Sequence, residues 1–176
     1  MSRISLNRLA VLAGAGDIFL QGITDIQIQA DATGMLAYTT TRPGGGVAVY
    51  RLGNAGSPAR LNAASLPGEM VAGLTGQVCT VTLAGGTAVL ATGLNGKGLW
   101  AAAVQADGSI GGTMTRLTTA LPAGKLDLIV PVSAGADSLL CGSYLGSGQL
   151  TIWQADGTGA LAQKSQLSIG AGFGQR

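Results

Sequence analysis

The chain has 176 residues, which is long enough for one domain with a sizeable core, and its net charge is only +2. Its ten Lys and Arg residues are scattered singly, which argues against a nucleic-acid surface, and no apolar run reaches the ~18 residues of a membrane-spanning helix. Glycine is abundant, charged residues make up 10% and histidine is absent, so strands with tight turns are favoured and histidine-based sites are excluded from this chain.

The N-terminal residues 1–20 alternate loosely and predict one or two strands around a glycine-rich turn. The first eight residues lack the long apolar core of a signal peptide. The protein is predicted to be extracellular, at a surface or part of a particle, and to reach that place by a route that needs no N-terminal signal peptide. A cytoplasmic location stays open.

A first repeat is predicted over residues 21–66, beginning with a strand of alternating polar and apolar side chains. Ile26 and Ile28 share one face, and Asp25, Gln27 and Gln29 share the other, so this strand is predicted to be half-buried. The predicted strands of the repeat are 23–29, 35–41, 47–52 and a short one starting at 59–61.

Two further repeats are predicted over residues 67–120 and 121–169. Asp107 and Gly108 give a strong hairpin signal, and Pro131 indicates an irregular or exposed strand end. The predicted strands are 77–83, 87–92, 99–104 and 113–118 in the second repeat, and 126–132, 138–144, 149–153 and 160–169 in the third. Residues 170–176 are predicted to be an unstructured tail.

A period near fifty residues supports this division. The tetrapeptide Gln-Ala-Asp-Gly occurs at 105–108 and again at 154–157, and residues 45–56 follow the same plan of glycine, short apolar strand and turn. Four antiparallel strands per repeat are typical of a β-propeller blade. The predicted fold is all-β, a propeller-like array of about three four-stranded antiparallel blades, with a β-sandwich or meander as the alternative.

Three blades are too few for a closed ring, because closed propellers have at least about four. Three outcomes are predicted as alternatives: the chain is the ordered part of something longer, it assembles with copies of itself, or it docks into a larger complex. The predicted partners are accordingly the chain itself or other protein subunits, with a glycan as a further option.

The stretch 148–158, followed by Leu161, resembles the blade signature of lactonase-type and related bacterial propellers. Residues 22–25 and 37–50 are similar to N-terminal propeller regions of large bacterial calcium-binding proteins of the RTX type. The resemblance covers about 150 residues and implies a propeller scaffold. The glycine- and aspartate-rich calcium nonapeptides of RTX proteins are absent from this chain, however.

A lactonase site would need clustered Glu, Asp, Asn, His or Arg, whereas this chain has one glutamate, Glu69, and no histidine. The main functional prediction is therefore a non-enzymatic scaffold, a protein- or glycan-binding module of a bacterial exported or surface assembly. One alternative is a fibre or spike subunit of a phage-like particle. A lactonase-type hydrolase is the other alternative.

No catalytic residue, metal site or cofactor is predicted, with calcium bound by loop aspartates kept as an option. The candidate carboxylates are Asp17, Asp25, Asp31, Asp107, Asp127, Asp137 and Asp156, and turn formation accounts for those beside glycine. Aromatic side chains are the predicted ligand or partner contacts, with packing between blades as the alternative. They are Trp100, Trp153, Tyr50, Tyr144 and Tyr38. Cys79 and Cys141 are predicted to be buried free thiols.

Overall fold

The computed structural model describes most of the three repeats. It covers residues 19–32, 34–41, 46–53, 58–65, 75–83, 86–93, 99–116, 126–134, 137–144, 148–155 and 161–170. The strands predicted within residues 1–18 and the tail at 171–176 lie outside these ranges.

Twelve strands are formed by the described residues, and each is numbered in chain order. They are β1 (Ile23–Asp31), β2 (Gly34–Thr41), β3 (Gly46–Leu52), β4 (Ala59–Ser65), β5 (Thr75–Leu83), β6 (Gly86–Gly93), β7 (Leu99–Ala103), β8 (Thr115–Arg116), β9 (Leu126–Ala134), β10 (Asp137–Tyr144), β11 (Gln149–Ala155) and β12 (Leu161–Ser168).

The strands form three antiparallel sheets of four, and within each sheet the neighbours follow chain order. The sheets are β1–β4, β5–β8 and β9–β12, called here the first, second and third blade. Each blade lies inside one predicted repeat. The first strand of the second blade, β5, contacts the first strands of both other blades, β1 and β9. These three strands lie side by side and are called here the inner strands. The predicted all-β, propeller-like architecture is confirmed.

Strand β8 begins two residues later than the predicted 113–118, and residues 117–118 lie outside the described ranges. Thr113 forms an isolated parallel bridge with Ser65 of the first blade, and Met114 is buried with only 2% of its surface exposed. Residues 113 and 114 therefore leave the edge of the second blade and pack against the first.

The repeated tetrapeptide is not structurally equivalent in its two copies. Gln154 pairs with Ala162 inside β11, whereas Gln105 lies beyond β7 in a turn, where its N–H donates to the carbonyl of Ser109. In each blade, the last paired residue of the first strand marks an equivalent position. These residues are Asp31, Leu83 and Ala134, which are 52 and 51 residues apart. The structural period is therefore slightly longer than the sequence identity suggests.

Two apolar cores lie between the blades. One joins the first and second blades around Tyr38, Val49 and Trp100, and the other joins the second and third blades around Leu99 and Trp153. The alternation of side chains across each strand produces both cores, because each middle strand sends one set of apolar residues to either side. The cores hold the blades face to face.

The inner strands are joined by hydrogen bonds that backbone N–H groups of one blade donate to side chains of the preceding blade. The backbone N–H of Val78 donates to Oδ2 of Asp25 (2.9 Å), and that of Ile129 donates to Oε1 of Gln77 (2.6 Å). Asp25 and Gln77 are equivalent by strand register, being the same number of residues from Asp31 and Leu83. These two bonds are one contact repeated, and it is called here the inner-strand bond.

The prediction of β1 as half-buried needs a correction about which face is covered. Asp25 and Gln27 point to the second blade, where Gln27 accepts from the backbone N–H of Thr80 (2.6 Å), while Ile26 and Ile28 are 52% and 58% exposed. The polar face is the one in contact because an inner strand must satisfy the free amides of its neighbour.

Pro131 lies within β9, opposite Leu140, rather than at an irregular end. Strand β9 is at the edge of its sheet, where a missing N–H breaks no ladder bond. By register Pro131 corresponds to Thr80, and Cys79 corresponds to Gln27. The bond between Gln27 and the N–H of Thr80 therefore has no equivalent between the second and third blades, because proline has no N–H and the thiol of Cys79 is only a weak acceptor.

Both cysteines are free, but they differ in burial: Cys79 is buried and Cys141 is only partly so. Burial, aided by the charge of Asp25, raises the pKa of Cys79 from 9.0 to about 12. We expect an alkylating reagent at pH 8 to modify Cys141 at least about a hundredfold faster than Cys79 in the folded protein, as read by mass spectrometry of the modified peptides.

The raised pKa of Cys79 also makes the stability of the folded protein depend on pH. Because its folded-state pKa lies above the unfolded value, the stability linked to the neutral thiol is present below pH 9 and falls between pH 9 and about 12. A Cys79→Ala variant should lose less stability across that window than the parent chain. Equal alkylation rates for the two native thiols would contradict the buried placement.

Candidate functional site

Four of the five predicted contact aromatics lie in the interior. Tyr38, Tyr50, Trp100 and Trp153 expose 1%, 2%, 7% and 3% of their surfaces. Tyr144 is the last residue of β10, and its side chain lies outside the described part of the structure. This burial favours the alternative interpretation, packing between blades, and a ligand-contact role for the five residues stays a prediction.

The buried tyrosines use their hydroxyl groups to bind backbone. Tyr38 donates to the carbonyl of Gly108 in the second blade (3.1 Å), and Tyr50 donates to the carbonyl of Phe19 (3.3 Å). Burial raises the pKa of Tyr38, and the charge of Asp31 raises it further, so this phenol stays protonated and keeps donating at neutral pH.

A polar cluster lies where the first and second blades meet, at the edge of the first blade that also holds the turn between β1 and β2. It consists of Asp31, Arg51, Asp107 and Ser109, and it is called here the Arg51 cluster. Arg51 donates through Nη1 to the carboxylate of Asp31 (3.3 Å) and through Nη2 to the backbone carbonyl of Asp107 (2.6 Å). Both side chains of the ion pair are about one quarter exposed, 26% for Arg51 and 27% for Asp31.

The strand order brings the cluster together. Asp31 ends β1 and Arg51 is near the end of β3, and alternate strands of a meander end at the same edge of the sheet. Asp107 is supplied by the turn after β7, whose residue Gly108 has a φ of 82°. A Cβ atom at Gly108 would collide with Leu36, so this turn approaches the first blade as only glycine allows.

The carboxylate of Asp107 is fixed by its own turn. Ser109 donates to Oδ1 of Asp107 through its hydroxyl (2.6 Å) and its backbone N–H (2.9 Å). These two bonds hold the pKa of Asp107 below its ordinary value, and the guanidinium of Arg51 contributes in the same direction. Asp107 is therefore ionised at neutral pH and carries a negative charge at the rim of the cluster.

Gln29 adds an amide to the same face. It lies in one cross-strand row with Leu36 and Arg51, on the side turned to the second blade. Its Oε1 atom is buried and has no hydrogen-bond partner among the described residues. A buried acceptor without a partner is costly, and a bound donor at this oxygen would relieve that cost.

Sequence reasoning named Asp31 and Asp107 as candidate carboxylates but missed Arg51 and Gln29. Within the described ranges, no group of three or more His, Cys, Asp or Glu side chains is placed to hold a metal ion. The prediction of no cofactor, with calcium as an option, stays untested. No helix in the described residues has the length and apolarity needed to cross a membrane.

No protein-family model matches the chain, and no curated protein sequence gives a match. Solved structures do. A protein assigned as a 6-phosphogluconolactonase from Bacteroides fragilis superposes with a TM-score of 0.61 and 16% identity, covering 82% of this chain and 39% of its own.

Two further solved structures superpose on the chain to a similar extent. The periplasmic gluconolactonase of Pseudomonas aeruginosa has a TM-score of 0.57 and 21% identity, covering 82% of this chain and 40% of its own. A protein assigned as a 6-phosphogluconolactonase from Bacteroides uniformis has a TM-score of 0.59 and 16% identity, with the same coverage of both chains. The chain thus spans about two fifths of the length of these structures.

These comparisons support the predicted resemblance to lactonase-type propeller blades, and the chain has that fold. The RTX-type resemblance has no counterpart among the three structures and stays a prediction. The main functional prediction, a non-enzymatic scaffold with a phage-like subunit as alternative, is wrong on this comparison, and so is the prediction that the chain is not an enzyme. The similar structures are one gluconolactonase and two proteins assigned as 6-phosphogluconolactonases.

Proposed function

We propose that the chain is the three-blade part of a lactonase-type hydrolase that opens the ring of a sugar lactone. The observation that carries this proposal is the superposition, over 82% of the chain, on a gluconolactonase and on two proteins assigned as 6-phosphogluconolactonases. Identities of 16–21% establish a shared fold, and the activity is the step that this proposal adds.

Lactone hydrolysis adds one water molecule across an ester. The water oxygen bonds to the carbonyl carbon, the bond from that carbon to the ring oxygen breaks, and one proton passes from the water to the ring oxygen. The product is a hydroxy acid. The reaction is helped by a base that takes the proton and by a donor that stabilises the negative charge on the carbonyl oxygen.

The Arg51 cluster contains both kinds of group. Asp31 provides a carboxylate that can accept the proton, and Arg51 provides a guanidinium whose N–H groups can donate to the carbonyl oxygen. Each is partly exposed, so each can reach a ligand while its partner holds it in place. The amide of Gln29 would accept from a hydroxyl group of the sugar ring. This assignment uses no histidine, in agreement with the composition.

The test is hydrolysis of glucono-δ-lactone, followed by acid release and corrected for the uncatalysed reaction. Asp31→Asn and Arg51→Met should each lower kcat at least about a hundredfold, because one removes the base and the other the oxyanion donor. Lys164→Met is the matched control, since it removes an exposed charge on the third blade and should leave the rate unchanged.

The two possible failures are distinguishable. A parent chain that hydrolyses no lactone above the uncatalysed rate would contradict the proposed function. A parent chain that is active, with Asp31→Asn and Arg51→Met equally active, would contradict the site and leave the function standing. Thermal unfolding of each variant must accompany the assay, because the ion pair also joins two strands.

A location outside the cytoplasm is proposed on separate grounds. The sequence predicts an extracellular or surface location, and one similar structure is a periplasmic enzyme. Detection of the chain by antibody in medium, periplasmic and cytoplasmic fractions tests this proposal, and recovery in the cytoplasmic fraction alone would contradict it.

A further inference from the structure

The Arg51 cluster carries more negative than positive charge. Its two carboxylates, Asp31 and Asp107, are ionised at neutral pH. Arg51 is the one cation that the described residues supply there, and it is bonded to the carboxylate of Asp31 and to the backbone carbonyl of Asp107. Two negative charges and one positive charge leave the cluster with a net charge of −1.

Arg60, a second arginine near this edge of the first blade, lies on the opposite face of the sheet. It pairs in register with Tyr50, which packs with Phe19 on the side turned away from the second blade. Its guanidinium carbon lies 5.4 Å from the centre of the Phe19 ring. Successive side chains of a strand alternate between faces, so Tyr50 and Arg51 point in opposite directions. The sheet therefore separates Arg60 from the cluster.

The sequence around this edge adds no further cation. The two bonds that Asp25 and Gln27 accept from β5 both span 53 residues, and the inner-strand bond to β9 spans 52. The inner strands therefore run in the same direction, and the first and third strands of each blade end at one shared edge. The segments that leave those strand ends contain no Lys or Arg in sequence. They are 32–33, 53–58, 84–85, 104–114, 135–136 and 156–160.

The cations of the connecting segments are those of the opposite edge. Arg42, Lys97 and Lys125 belong in sequence to segments 42–45, 94–98 and 117–125, which follow the second and fourth strands of their blades. Asp156, by contrast, belongs in sequence to a segment that leaves a strand end at the edge of the Arg51 cluster. The sequence therefore places no positive charge that could offset the net charge of the cluster.

The cluster also favours ligands that bring hydrogen-bond donors. Asp31 offers carboxylate oxygens, and the buried Oε1 atom of Gln29 has no partner among the described residues. Hydroxyl groups of a neutral sugar ring can donate to both. A phosphate dianion brings acceptors only, so it would leave the oxygen of Gln29 unpaired and would approach two carboxylates.

We propose that the Arg51 cluster selects uncharged, hydroxyl-rich lactones and excludes lactones that carry a phosphate or carboxylate group. The proposal rests on the lactone hydrolysis proposed above and names its substrate class. The same net charge acts on the product, because ring opening converts a neutral ester into a carboxylate. A cluster with a net charge of −1 disfavours retention of that anion, so the product should be released readily.

The experiment compares kcat/KM for glucono-δ-lactone and for its 6-phosphate, each corrected for uncatalysed hydrolysis. The parent chain should prefer the neutral lactone at least about tenfold, because the phosphate meets a cluster of like charge. Raising the salt concentration from about 20 to about 200 mM should increase kcat/KM for the phosphate at least about threefold, because salt screens the repulsion. The value for the neutral lactone should change little.

Asp107→Asn tests the source of the selection. It removes one charge and keeps an oxygen that can accept from Ser109, so the turn is retained. The preference for the neutral lactone should fall at least about threefold. Because the result is a ratio, any loss common to both substrates cancels. Ser165→Lys is the matched control, since it changes the net charge equally at an exposed position on the outer strand of the third blade, and it should keep the parent ratio.

The failure of this proposal is distinguishable from the failure of the proposed function. Equal or faster hydrolysis of the 6-phosphate by the parent chain would overturn the charge selection, and so would a preference that Asp107→Asn leaves unchanged. Hydrolysis of neither lactone would contradict the proposed function. Calorimetric titration with glucose and glucose 6-phosphate then decides the charge selection. Glucose bound at least about tenfold more tightly supports it, whereas equal or tighter binding of the phosphate, or binding of neither sugar, overturns it.

Discussion

Replacing Trp153 with alanine is expected to lower the free energy of unfolding by about 3–5 kcal/mol, the largest single effect that the structure predicts. The indole is 3% exposed and belongs to the core that joins the second and third blades, with Leu140, Ile129 and Leu99. Its removal leaves a cavity that rigid strands on both sides cannot close. Urea unfolding followed by circular dichroism measures the loss.

Gln163→Ala provides the control for Trp153. Gln163 is the cross-strand partner of Trp153 on β12, but it is exposed, so its truncation should change stability by less than about 0.5 kcal/mol. Trp153→Phe should fall between the two. A Trp153→Ala variant as stable as Gln163→Ala would mean that the third blade does not pack on the second through this residue.

Asn62→Ala is expected to cost about 2–4 kcal/mol, because it would leave two buried backbone groups without partners. The Oδ1 atom of Asn62 accepts from the N–H of Ile110 (3.0 Å), and its Nδ2 atom donates to the carbonyl of the same residue (2.5 Å). The side chain therefore pairs with Ile110 as a neighbouring strand would, and Ile110 is only 2% exposed. Chemical unfolding again measures the loss.

The control for Asn62 is a pair of variants. Asn62→Asp keeps an acceptor for the N–H of Ile110 and, with the carboxylate ionised, loses the donor to its carbonyl, so stability should fall at pH 7. Gln166→Ala removes another side-chain amide, the exposed one that donates to Gln149 (2.6 Å), and should cost less than about 0.5 kcal/mol. If Asn62→Ala cost no more than Gln166→Ala, the first and second blades would not be joined by this amide.

The architecture could be predicted from the sequence because its signals are local. Alternating strands and glycine turns recur in each repeat, and each predicted repeat contains one four-stranded sheet. The covered side of β1 could not be predicted, because the apolar face of an isolated strand is normally the buried one. Asp25 and Gln27 reverse this rule by binding amides 53 residues away, in the next blade.

The Arg51 cluster was only half predictable. Asp31 and Asp107 are visible as acidic residues near turns, but their connection depends on which loop of the second blade meets which strand end of the first. One signal was available: Asp31 and Arg51 end the first and third strands of a meander, which places both at the same edge. The functional prediction, which relied on the single glutamate and the missing histidine, is contradicted by the lactonase structures that superpose on the chain.

The inner-strand bond has a consequence for how such a chain can change in evolution. Each blade completes its backbone ladder alone, and each junction between neighbouring inner strands contains the inner-strand bond, in which a side chain accepts from one amide of the next blade. Duplication or deletion of the second blade, a unit of 51 or 52 residues, therefore keeps the inner-strand bond at the new junctions. The gene can gain or lose a whole blade in one event without passing through a broken fold.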